Sequence, residues 1–341
     1  MSNHKSAAQR VPNSMPAMSL LIALLLLAAC ARPTPSPEAE RTPPLSPVPR
    51  SAGELLQVVA TTTIVGDVVA RVGGDAIRLT VLLPVGADPH TYQPRPADLT
   101  TMAQAHVIFV NGLGLEESLE PILRDIKDVP VISVSAGIQP RPIEPSEHEE
   151  EHKHEHEGEK EEVHHHEGLD PHVWMDVRNV MVWVENIQRT LTALDPDHAA
   201  LYAANAAAYR AELEALDAWI LERVAEVPPE NRKLVTNHPT FGYFADRYGF
   251  EQIAAVYPIS PGAEPSAQGI AELQEVIQQF GIPAVFIETT VNPKLAEQVA
   301  RDTGVRLVTL YTDSLGGPGS GAESYVAMMR YNVEAIVSAL K

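Results

Sequence analysis

The sequence predicts an α/β protein of two lobes, each a parallel sheet with covering helices, joined by one long α-helix. Three observations predict it. Over residues 57–137, β-branched runs alternate with helical stretches, the pattern of β-α-β units on a parallel sheet. A second alternation starts at Lys233 and runs on to the closing helix. Between the two lies an alanine-rich stretch, with Ala at half of positions 199–218, and alanine is the strongest helix former. Aromatic residues make up only 5% of the chain while 45% is hydrophobic. That material suits a helix-rich core better than an all-β sandwich.

Taken in order, the first 29 residues read as a signal peptide, with Lys5 and Arg10 ahead of the apolar run LLIALLLLAA. The run is too short to span a bilayer comfortably. It ends at LAAC, where Cys30 is the chain's single cysteine. Small residues followed by Cys resemble a bacterial lipobox, which implies lipidation of Cys30; the plain alternative is an incidental cysteine. A lone cysteine there leaves no internal disulfide. Residues 30–54 are proline-rich and read as an extended tether.

A first lobe is expected over 55–195. QVVATTT (57–63) reads as a buried strand, IVGDVVARVGG (64–74) as a helix with a glycine stop, and IRLTVLL (77–83) as a strand. PVGADPHTYQPRP (84–96) is a loop, ADLTTMAQA (97–105) a helix, and VIFVNG (107–112) and VPVISVSAG (129–137) strands. A helix is expected over about 177–194. From Pro196, with Asp195 as a plausible N-cap, the bridging helix runs to about 226. Thirty residues at ~1.5 Å each span roughly 45 Å, enough to run along two lobes.

The second lobe occupies 227–341. KLVTNH (233–238), EQIAAVYP (251–258), PAVFIET (283–289) and VRLVTLYTD (305–313) read as strands. PTFGYFADRYG (239–249), PSAQGIAELQEVIQQFG (265–281), NPKLAEQVARDTG (292–304) and about 322–340 read as helices.

Charge narrows the function. The 341-residue chain carries a formal −20, which argues against a nucleic-acid partner and suits a cationic ligand. Part of the charge is local: residues 144–167 hold eleven Glu and two Lys, too charged to pack and expected to be disordered.

Thirteen histidines are present, seven of them in that acidic run: His148, His152, His154, His156, His164, His165 and His166. They could bind extra metal weakly or be incidental to a solvated loop. His106 and His198 read as packing and surface residues. His90 and His172 share the lead-in Asp-Pro, which presents both from stiff loops, although so short a repeat also arises by chance. His238 and Asp313 each close a strand, and ligands in open parallel sheets sit beyond the strands' carboxyl ends. Three imidazoles and a carboxylate satisfy a tetrahedral Zn2+ and could also serve Mn2+. Glu288, ending PAVFIE, is a candidate to support such ligands from behind, with a turn or salt-bridge role as the alternative. The loop GGPGSG (316–321) lacks the Lys-Ser/Thr of a phosphate loop.

The blocks TTTIVGDVV, LLPVGADPHTYQPRPADL, VNGLGLE, DPHVWMD, NHPTFGYFADRYGF and YTDSL fall in order across about 57–341. Together they resemble the solute-binding lipoproteins of zinc and manganese ABC importers. The resemblance implies two α/β lobes bridged by a long helix, with a metal between them on His90, His172, His238 and Asp313. It implies a monomer on the outer face of the bacterial cytoplasmic membrane, anchored at Cys30, serving an ABC permease and its ATPase. Manganese-type members often carry Glu at the third position and zinc-type members His. With His238 there, and a His-rich acidic insertion before the second Asp-Pro-His, zinc is the expected cargo and manganese the alternative. No enzyme activity is expected, since HExxH is absent and four protein ligands leave no position for an activated water. A zinc hydrolase and a metal-storage or adhesin lipoprotein are the competing classes. Three imidazoles of ordinary pKa ~6.5 predict that metal affinity falls steeply below pH ~6.

Overall fold

The computed structural model describes residues 45–51, 53–142, 168–236, 238–255, 267–290 and 293–341. The signal peptide, Cys30 and the His/Glu-rich run with all seven of its histidines lie outside the described residues.

The first lobe is built from β1 (Leu56–Ala60), α1 (Thr63–Gly73), β2 (Ile77–Val81), α2 (Pro96–Ala103), β3 (Val107–Val110), α3 (Glu120–Asp125) and β4 (Val131–Ser133), followed by α4 (Val177–Leu194). Its four strands are all parallel, in the order β2-β1-β3-β4, with Leu56 opposite Ile77 and Val58 opposite Val107. The second lobe holds β5 (Lys233–Thr236), α6 (Gly242–Tyr248), β6 (Glu251–Ala255), α7 (Ala267–Phe280), β7 (Ala284–Glu288), α8 (Lys294–Thr303), β8 (Arg306–Leu310) and α9 (Tyr325–Leu340). Its sheet is again all parallel and ordered β6-β5-β7-β8. The two sheets therefore have the same winding.

Strand residues split between two faces, as their period of two requires. Leu56, Val58 and Ala60 of β1 and Val107 and Phe109 of β3 face a central core. Val59 and Ile108 face a second cluster with Leu82, Leu83 and Met102. In the second lobe Ala284 and Phe286 join the central core, while Val285 packs outward with Val235, Leu273 and Val299. Burial on both faces is what parallel strands demand.

Between the lobes runs α5 (Ala199–Val224), 26 residues and about 39 Å long. It buries Tyr202, Ala206, Tyr209, Leu213, Leu216, Ile220 and Val224, a stripe at three- and four-residue spacing. That stripe packs on α1 and α4 from the first lobe and on α6 and α9 from the second. The central core thus runs unbroken through α5 from one lobe to the other.

Several expectations need correction. Asp195 does not cap α5, which is preceded by a 3-10 turn over Pro196–His198. Its buried carboxylate instead accepts from the Tyr202 hydroxyl at 2.7 Å, contacts His198 Nδ1 at 2.8 Å and pairs with Arg50. Nor does the end of the tether stand clear of the body. Leu45 and Val48 pack on the central core, and the Val48 N–H donates to Leu194 O at 2.9 Å. The 3-10 turn Glu117–Leu119 and α3 were not expected at all. β4 is three residues long rather than nine, because the chain turns at Ser133 and Ala136 N–H bonds back to Ser133 O.

Candidate metal centre

The two Asp-Pro-His tripeptides form the same local turn. Asp88 Oδ1 accepts from the His90 N–H at 2.9 Å, and Asp170 Oδ1 from the His172 N–H at 3.0 Å. A carboxylate that bonds the backbone two residues on is an Asx turn, and the intervening proline fixes φ. The first turn follows β2 and the second precedes α4, so both imidazoles come from loops of the first lobe.

The other two side chains come from the second sheet. His238 follows β5 in a tight turn, where its carbonyl accepts from Thr240 N–H at 2.9 Å and the Thr236 hydroxyl at 2.7 Å. Asp313 lies just beyond β8 and is 2% exposed. It faces the crevice at the strands' carboxyl ends, where parallel sheets bind ligands.

All four converge. The Nε2 atoms of His90 and His238 each lie 3.3 Å from His172 Nε2. Asp313 Oδ2 is 3.4 Å from His238 Nε2, and Oδ1 is 3.7 Å from His172 Nε2. The four donor atoms all lie within 4.8 Å of one another. A four-coordinate ion with bonds near 2.0–2.1 Å spaces its donors by about 3.3–3.4 Å. Asp313 supplies the sharpest test of fit: neither carboxylate oxygen has a hydrogen-bond donor, although both are buried. Leaving a buried acceptor unpaired is costly, and a cation among these atoms would satisfy it.

Groups behind the cluster fix the rings. His172 Nδ1 is 2.8 Å from Asp170 Oδ1, and His238 Nδ1 is 2.7 Å from Glu288 Oε2. Glu288 Oε1 accepts from the His238 N–H at 3.0 Å, and Oε2 from the Thr312 hydroxyl at 2.5 Å. A carboxylate on Nδ1 holds the proton there and leaves Nε2 free as a metal donor.

The imidazoles differ in their surroundings. Burial, followed by His172 and His238, holds His90 well below the ordinary imidazole value. At His238 burial also disfavours the charged form, but Glu288 and Asp313 outweigh it and raise the group to about 9. Burial raises Asp313 despite His238 and His172 nearby.

The two lobes also bond directly around the cluster. Trp174 Nε1 donates to Thr312 O at 2.9 Å, and the Tyr325 hydroxyl to Trp174 O at 2.7 Å. Ser314 Oγ accepts from Gly86 N–H at 2.8 Å, and Thr63 Oγ1 from Leu315 N–H at 2.9 Å. In the first lobe, Asn111 Nδ2 donates to Pro171 O at 3.1 Å, bracing the turn of His172.

Of the remaining candidates, His106 accepts from Gln57 N–H through Nδ1 at 2.9 Å, at the start of β3 and away from the cluster. The GGPGSG loop closes on itself, with Gly316 N–H donating to Ala322 O at 2.9 Å. Sequence reasoning missed Asp88, Asp170 and Trp174. The Asp two residues before each His was the available signal for the first two.

Two parallel α/β lobes on one helix, with a His3Asp cluster in the crevice between them, define a class: the solute-binding receptors of metal importers. Comparison with known proteins gives the family. The model described as zinc-uptake complex component A, periplasmic, matches residues 58–339, and this chain belongs to that family. It is 38% identical over 289 residues to the manganese-binding lipoprotein MntA of Halalkalibacterium halodurans, covering 84% of this chain and 89% of that protein. It is 34% identical over 289 residues to the iron-binding protein YfeA of Yersinia pestis, covering 84% and 87%. Among solved structures, the periplasmic zinc binding protein TroA from Treponema pallidum matches with a TM-score of 0.72 at 29% identity, over 84% of this chain and 99% of that one. Members are metal ABC transporter solute-binding proteins and not enzymes.

Proposed function

We propose that this chain is an extracytoplasmic receptor for Zn2+, held to the membrane by lipid on Cys30. As a monomer it hands its cargo to an ABC permease driven by an ATPase. His90, His172, His238 and Asp313 are the ligands. The observation that carries this reading is the donor set: three Nε2 atoms and one undonated carboxylate at 3.3–3.7 Å from their neighbours. Nitrogen-rich, four-donor sites favour Zn2+ over Mn2+, which prefers more oxygen and higher coordination.

Manganese is the second reading, and relatives support it. Besides MntA, the chain is 29% identical over 332 residues to the manganese ABC transporter substrate-binding lipoprotein PsaA of Streptococcus pneumoniae. Asp313 can offer either or both oxygens, which would raise the donor count toward what Mn2+ takes.

Direct competition separates the two. Metal-stripped protein, with and without residues 147–167, is titrated with Zn2+ against Mn2+. Tight 1:1 Zn2+ binding that excess Mn2+ fails to displace, in both forms, supports the zinc reading. Displacement by stoichiometric Mn2+ overturns it. Loss of nearly all binding on deletion would point instead to a storage protein.

A further inference from the structure

A guanidinium stands behind His172. Arg141 Nη1 is 3.5 Å from Asp170 Oδ2, while Asp170 Oδ1 holds the imidazole of His172. Arg141 also reaches the other lobe: its Nε is 2.6 Å from Asp246 Oδ2 on α6. The guanidinium carbon lies 5.8 Å from the centre of the Tyr243 ring. Tyr243 completes the junction, accepting from the Arg141 N–H at 2.8 Å and donating to Asp170 O at 2.9 Å. Asp170 N–H bonds Arg141 O at 2.9 Å. Because α6 begins four residues after His238, this junction ties the turn that carries His172 to the segment that carries His238.

Gly242 shows how closely the two sides meet. A Cβ there would stand 1.7 Å from Arg141 Nη1 and 2.8 Å from Asp170 Oδ2. Its backbone is not among the positive-φ glycines, so a side chain here would push the Arg141 fork aside and leave the backbone unstrained.

We propose that Arg141 is a positioning residue for metal retention, a pin between the lobes that keeps Asp170, and through it His172, in register with His238. This rests on the metal-receptor reading above. An ion held by donors from both lobes leaves only when one lobe's donors step back. A pin joining the two sides slows that step and has little influence on arrival. Arginine suits the task because its planar fork faces two carboxylates at once and lies against an aromatic ring, which a lysine ammonium cannot reproduce. The Arg141 and Asp246 side chains are 29% and 62% exposed, and such pairs add little to stability. Its effect therefore belongs in metal kinetics.

The test uses the full chain loaded with Zn2+, following release into excess chelator and uptake by stopped flow. R141M and G242A should each release Zn2+ roughly tenfold faster, the lower end of what groups supporting a ligand contribute, with uptake within about twofold of the parent. D246N should shift release in the same direction by less. R141K should behave like R141M; full rescue by lysine would mean that charge alone suffices and would overturn the pin. Parent-like release in R141M and G242A, alongside tight binding by the parent, also overturns it. If R141M does not fold, unchanged release in the exposed variant D246N refutes the proposal. A parent that holds neither Zn2+ nor Mn2+ would instead sink the functional reading on which the pin depends.

Discussion

Replacing Glu288 by glutamine tests how the centre sets the state of His238. The carboxylate accepts from the His238 N–H and the Thr312 hydroxyl, and its Oε2 lies 2.7 Å from His238 Nδ1. Glutamine keeps the shape and one oxygen, but puts an NH2 where the other oxygen was. With the oxygen kept on the His238 N–H, that NH2 faces Nδ1. Nδ1 must then accept, so the ring proton moves to Nε2, the atom aimed at the metal. Turning the amide over avoids this but sets NH2 against the buried backbone N–H, and an unpaired buried donor costs about 1–3 kcal/mol. Either arrangement opposes binding. Groups that orient a ligand contribute 10–100-fold in affinity, equivalent to about 1.4–2.7 kcal/mol. E288Q should therefore bind Zn2+ 10–100-fold more weakly, measured at pH 9.5, above the value of about 9 to which Glu288 and Asp313 raise His238, against a chromophoric chelator. T312V, which removes one donor and leaves Nδ1 with its acceptor, should lose much less. Thermal unfolding of the metal-free variants controls for folding. Affinity within twofold of the parent in a folded E288Q would refute the tautomer argument.

Other outcomes follow from the same geometry. H172A should abolish tight binding, while joint replacement of His164, His165 and His166 should not; equal loss in isothermal titration would refute that division. Glu288 and Asp313 outweigh burial and raise His238 to about 9, so metal binding at neutral pH is expected to displace a proton from it. Affinity should therefore rise about tenfold per pH unit through pH 7–8 and level off above about 9. His90, held low, adds nothing to that slope until the solution is acidic; a flat profile between pH 7 and 8 would contradict this. L213A removes a fully buried side chain from the middle of α5 and should lower unfolding stability by about 2–5 kcal/mol, read by urea denaturation with metal absent.

The fold was legible wherever a local rule had no rival. Alanine at half of 199–218 left α5 no other conformation, and VIFV, buried on both faces, could only be an inner strand. Strand ends were not legible. Val134, Ser135 and Ala136 read as more of β4 but go into a turn, and β propensity cannot see the bonds that make the turn. The stretch before Val129 hid α3, which is six residues long with Pro121 in its first turn, too short for a periodic signal. At the centre, Asp-Pro-His marked the stiff presentation of His90 and His172, and strand ends marked His238 and Asp313. What the chain could not show is convergence, since 82 residues separate His90 from His172 and 66 separate His172 from His238. The role of Asp170 depends on that convergence and surfaced only with the structure, while Glu288 was readable in the sequence as a candidate and no more.

The unbroken core through α5 has a consequence for signalling. A receptor whose halves share one apolar interior has no dry seam along which to swing apart, because parting them would hydrate Tyr202, Leu213 and their neighbours together. Its silhouette is then a poor messenger of whether cargo is aboard. A signal of occupancy would then lie in the loops around the cluster, where Ser314 accepts from Gly86 N–H and where His90 alone of the four keeps partial contact with solvent. A transport partner would tell full from empty by feeling those loops.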